Sequence, residues 1–177
     1  MLFKATACLL SAIALGDAAA MGRVAARDTT QVYAYGTDIP GLPLYAGSDG
    51  LAYISNSSDV TGLAALTWSI DSTGERPWNA TNTNSTMASL YMITASDSFA
   101  QVGFLNSSTT APSSAVTKGF VTYGSYIMYL DGDTYVSEFW AQTTDSTGVW
   151  ALMWNQNGTA QVDSVPVSLK TQALITS

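Results

Sequence analysis

Short runs of apolar, β-branched and aromatic residues recur along the chain, each closed by Gly, Asn, Asp, Ser or Pro. Such runs predict strands, because branched and aromatic side chains fit a pleated, half-buried surface while the closing residues suit turns. The pattern places strands at 31–36, 43–46, 51–55, 63–70, 89–95, 99–105, 118–123, 125–130, 134–142, 148–154 and 164–170. Long helical periodicity is absent after residue 28. About ten short strands at this spacing predict an all-β fold, an antiparallel β-sandwich (jelly-roll-like) or a barrel. One domain is expected over 28–177, with polar loops at 71–86 and 106–117.

The segment "MYLDGDTYVSEFWAQ" (128–142) reads as a hairpin. Asp-Gly is the pair best suited to a two-residue type I′ turn. With Asp131-Gly132 as the loop, Leu130 opposes Asp133 and Ile127 opposes Val136. Tyr126, Met128, Tyr135 and Phe139 then share one face, and Ile127, Tyr129, Val136, Glu138 and Trp140 share the other. A surface hairpin has one polar face. Two apolar faces imply a hairpin covered on both sides, or one with a groove lined by aromatics.

Glu138 is one of two glutamates in the chain and lies on an apolar face of this hairpin. It reads as a carboxylate at the sheet rim or paired with Lys118, Lys170 or a tyrosine hydroxyl, since ionised groups are seldom buried alone. The alternative is a glycoside hydrolase-like β-sandwich using Glu138 as a catalytic carboxylate. A retaining enzyme of that kind needs a second carboxylate about 5–5.5 Å away, and no spacing pairs Glu75, Asp131 or Asp133 with Glu138. Asp131 and Asp133 belong to the turn, because a calcium loop needs oxygen ligands at several alternate positions.

In "GVWALMWN", Trp150, Leu152 and Trp154 share a face, which reads as core. Tyr45 in "LPLYAGSDG" and Trp78 in "ERPWN" read instead as loop aromatics. Exposed loop aromatics suit stacking on sugar rings, as loops carry function on a rigid scaffold. With Trp140, they are the candidate carbohydrate-binding residues.

Composition removes whole classes of chemistry. The chain has no histidine, so no Ser-His-Asp triad and no His-ligated zinc or copper site can form. The single cysteine, Cys8, falls in the first twenty residues. Those residues read as a secretory signal peptide: Lys4, then the apolar "ATACLLSAIALG", then the small residues of "DAAA". Arg23 and Arg27 frame a short pro-segment or flexible N-terminus at 21–27. From Asp28 onward there are three basic and twelve acidic residues. Nucleic acid and anionic lipid are bound through clustered Lys and Arg, so both are excluded as partners. No metal and no cofactor is expected, and the chain does not reveal its oligomeric state.

Five of the seven asparagines start an Asn-x-Ser/Thr sequon: Asn56, Asn79, Asn84, Asn106 and Asn157. All five fall at expected turns or loop edges, where an attached glycan stays in water.

The segments "VYAYGTDIPGLPLYAGSDGLAYIS" (32–55), "FVTYGSYIMYLDG" (120–132), "FWAQTTDSTGVWALMWNQNG" (139–158) and "VPVSLKTQ" (165–172) give the chain a resemblance. It resembles a family of small secreted cell-wall or effector-like proteins of filamentous ascomycete fungi, which supplies no catalytic residues. The resemblance implies a fungal extracellular protein. Together these readings lead to an expectation. The chain is a secreted, N-glycosylated, non-enzymatic protein of the cell wall or host interface, with wall polysaccharide or a wall or host protein as partner.

Overall fold

Along Ser164–Lys170, Val167 and Leu169 are buried, while Ser168 and Lys170 beside them are partly exposed. The period of two turns every second side chain inward, and most strands follow the same rule. The structure is a computed structural model that describes residues 30–84 and 86–172. The expected leader at 1–20 and the segment at 21–27 lie outside the described residues.

In chain order the strands are β1 (Tyr33–Gly36), β2 (Ile39–Gly47), β3 (Ala52–Ser55), β4 (Leu63–Ser69) and β5 (Asn79–Asn82). They continue with β6 (Met87–Ile93), β7 (Phe99–Gln101), β8 (Gly103–Leu105), β9 (Ala115–Val116) and β10 (Phe120–Tyr123). The last are β11 (Tyr126–Asp131), β12 (Thr134–Val136), β13 (Phe139–Thr143), β14 (Val149–Asn155) and β15 (Ser164–Lys170). No helix occurs among the described residues.

Six strands close a barrel in the order β1, β2, β3, β14, β13, β15 and back to β1, with every pair antiparallel. Of the two all-β architectures expected, the chain therefore builds the barrel, with additional strands attached. Ala34, Leu44, Ile54, Phe139, Ala141, Leu152, Trp154, Val167 and Leu169 are buried in one apolar cluster with the inner face of the attached strands. The face of Trp150, Leu152 and Trp154 is the core face, as the alternation in "VWALMWN" implied. The barrel closes where Gly36 pairs with Val167; a Cβ on Gly36 would stand 2.7 Å from the Pro166 carbonyl oxygen.

Strands β4, β5, β6 and β8 continue the sheet from β2. A single bridge between Leu51 and Gly103 ties β8 back to the start of β3. The strand expected at 99–105 is cut at Val102, because it serves two partners. β7 pairs with β14 and β8 with β6, and buried Val102 crosses between them, donating to Leu152 O and accepting from Ala52 N, both at 2.9 Å. Two strands form where loops were expected. β5 lies within 71–86 and β9 within 106–117.

The hairpin differs from its expected register by two residues. Asp131 pairs with Thr134 and Tyr129 with Val136, so the loop is Gly132-Asp133. Gly132 has φ 58° at the first central position, where a type II′ turn takes its glycine. A shift of two preserves the faces, but the strand expected at 134–142 breaks at Ser137–Glu138. Val136 and Phe139 therefore both pack on the core, three residues apart. The break lets β13 leave the hairpin and sit between β14 and β15. Phe139 thus parts from the face of Tyr126 and Tyr135 that parity had assigned it.

Candidate functional site

None of the three expected binding aromatics offers a ring to solvent. Trp78 is 1% exposed, its ring tilted against Phe120, and its indole N–H donates to the Asp71 carbonyl at 2.7 Å. It is core, not a loop platform: its ring turns inward while Glu75 and Arg76 before it stay exposed. Tyr45 is 6% exposed on β2, and burial, then the nearby Asp59 charge, raises its phenol pKa above the usual 10.0. Trp140 is 8% exposed and packs with Ala151 and Met153 in a small cluster on the outer side of the barrel.

Glu138 is half-buried at the end of the barrel. Its carboxylate lies against Gly158, and its backbone carbonyl accepts from Asn155 N at 2.9 Å. It thus sits in the Ser137–Glu138 break rather than on the aromatic face of a continuous strand. Asp131 and Asp133 are exposed at the hairpin turn. Among the described residues no group of three or more acidic, Cys or His side chains gathers to hold a metal.

The exposed aromatics lie elsewhere. Tyr123, Tyr126 and Tyr135 are 67%, 43% and 56% exposed. They stand on the three adjacent strands β10, β11 and β12. Tyr123 pairs directly with Tyr126, and Tyr135 with Leu130, which puts all three on one face. The opposite face, with Phe120, Ile127, Tyr129 and Val136, packs on the core. The Tyr123 and Tyr135 rings are 6.1 Å apart, tilted by 47°. The Lys170 ammonium lies 4.4 Å from the Tyr126 ring centre and 4.9 Å from that of Tyr35, a cation over two aromatic faces. The sequence carried a signal for this face. Both sides of the hairpin were apolar and only one could meet the core, but nothing in the pattern said which side stayed open.

A concave region surrounds the β2–β3 turn. A groove of about 330 Å³ runs between Asp49, Tyr53, Leu63 and Asp145. Asp49 accepts from the Tyr53 hydroxyl at 2.7 Å and from Leu51 N at 3.0 Å. Burial, and then the hydrogen bond to Asp49, raises the Tyr53 pKa; burial and the same carboxylate's charge raise that of Tyr91.

Of the sequons, Asn56, Asn84, Asn106 and Asn157 are exposed. Asn79 stands at the edge where the loop meets β5 but is more enclosed than the others. It starts β5, half-buried, and its side-chain oxygen accepts from Ser89 Oγ at 2.8 Å. No family model, curated protein or solved structure matches the chain, so its function is argued from its own residues.

Proposed function

We propose that the protein is a secreted, N-glycosylated carbohydrate-binding protein of a fungal cell wall or host interface. It holds a neutral polysaccharide on the face of Tyr123, Tyr126 and Tyr135. One observation carries this reading: among the described residues, three of the four exposed large hydrophobic side chains are tyrosines on one face of the adjacent strands β10, β11 and β12. A tyrosine offers a flat apolar ring for the C–H face of a sugar and a hydroxyl for its polar edge. Grouped exposed apolar surface marks binding sites rather than ordinary surface. The formal charge of −7 disfavours anionic polymers and leaves neutral ones.

The test is depletion binding of the purified mature protein to insoluble neutral wall polymers, chitin and β-glucan, with each of the three tyrosines replaced by alanine. Retention of the wild type and its loss in the variants support the reading. Absence of wild-type retention on every polymer removes it.

A further inference from the structure

Beside the β2–β3 turn lies a cleft of about 320 Å³. Tyr91, Leu105 and Pro112 give it an apolar wall, and Ser48, Asp49 and Thr110 line it with a carboxylate and hydroxyls. Asn106, the first residue of a sequon, lines the same cleft. Its side chain is held in place. The amide oxygen accepts from Ser108 N at 2.9 Å, Ser108 Oγ at 2.8 Å and Thr109 Oγ1 at 2.7 Å. The atom that would carry a glycan therefore sits on a fixed group in the wall of a cavity with one apolar and one hydrogen-bonding side. That is the usual make-up of a small-ligand site.

We infer that an N-glycan on Asn106 seats its first N-acetylglucosamine in this cleft instead of projecting into water. The apolar face of the sugar ring meets Leu105 and Pro112. Its hydroxyl and amide donors meet the Asp49 carboxylate, which still has acceptor capacity beyond Tyr53 and Leu51. The first sugar then ties the loop after β8 to the β2–β3 turn. The inference rests on the glycoprotein reading above, and it singles out Asn106 from the other sequons. Exposed Asn84, by contrast, stands in the β5–β6 turn and lines none of the clefts described above.

The experiment uses the full chain secreted from a glycosylating eukaryotic host, with occupancy of each sequon mapped by mass spectrometry of its peptides. An endoglycosidase that cuts between the first two N-acetylglucosamines is applied to folded and to denatured protein. In the folded protein, release from Asn106 is expected to be roughly tenfold slower than from Asn56 or Asn84, the protection a modest local opening energy gives. Denaturation should remove the difference. Thr110→Trp, an exposed position outside the sequon, should fill the cleft and bring Asn106 to the rate of the others. Equal rates in the folded wild type overturn the inference. So does a bare Asn106 beside occupied sequons, or a lag that persists in Thr110→Trp. Absence of glycan at every sequon overturns the glycoprotein reading as well, and mapping alone reveals that case.

Discussion

The rings of Tyr123 and Tyr135 meet at 6.1 Å although their strands flank β11 on opposite sides. Both side chains lie over the outer face of the sheet and stay more than half exposed. Aromatic rings in such contact gain about 0.5–1.5 kcal/mol beyond their area. The contact holds two flat surfaces side by side at little entropic cost to a ligand that stacks on them. Lys170 steadies the third ring, Tyr126, from the neighbouring strand β15.

Trp78 tests the division between core and binding face. Trp78→Ala empties a fully buried site and is expected to cost about 3–5 kcal/mol of stability. Trp78→Phe keeps most of the ring but leaves the Asp71 carbonyl without its indole donor, a loss of about 1–3 kcal/mol. Denaturant unfolding measures both. Polysaccharide retention by the folded Phe variant should match wild type, and a selective loss of retention would return Trp78 to the binding surface.

Barrel closure depends on the close approach of β1 to β15. Gly36→Ala drives a methyl against the Pro166 backbone oxygen and the Val167 side chain. Overpacking of this kind costs about 1–3 kcal/mol. The unfolding midpoint in urea should fall accordingly, and an unchanged midpoint would mean that the two strands are not joined at this register.

High pH should weaken the fold in a defined window. Tyr45, Tyr53, Tyr91 and Tyr129 have pKa values raised above 10.0, each chiefly by burial and then by a nearby carboxylate. The folded state holds these four protons more tightly than the unfolded chain does. Their contribution is complete below pH 10 and is lost as pH climbs through the folded-state values. Phenolate absorbance should show these four ionising late, with stability falling over the same range. Ionisation of these four at the ordinary position would contradict the assigned burial.

Glu138 separates binding from hydrolysis. The carboxylate packs on Gly158 from the break between β12 and β13. Glu138→Gln should retain polysaccharide like wild type, and neither protein should release reducing sugar from it. Sugar release by wild type alone would make Glu138 the functional residue and overturn the binding reading.

Much of the fold could be read from alternation. "SVPVSLK" became a strand at its expected bounds, and "VWALMWN" became one with Leu152 and Trp154 on the core as expected, although Ala151 and Met153 on its other face are buried too. β5, "NATN", was illegible because its only buried side chain is a methyl, Ala80, among polar neighbours. The hairpin was legible in its faces but not in its register, since a slip of two residues changes no face. The Ser137–Glu138 break left no mark in its own residues, because it goes with the pairing of β13 to β14 and β15, outside the hairpin. Trp78 does lie outside the strands, just before β5, but it read as exposed because the residues around it are polar, whereas it is buried with Phe120 of β10 and Leu90 of β6.

The central claim is that the tyrosine sheet holds a neutral polysaccharide. Its most direct test is a binding isotherm on chitin and β-glucan for wild type and for the double variant Tyr123→Ala/Tyr135→Ala. Both positions are exposed, so the double variant should stay folded and lose only about 0.5–1.5 kcal/mol, the ring contact itself. Loss of two stacking rings should weaken binding by roughly tenfold or more. Unchanged affinity in a folded double variant would contradict the claim.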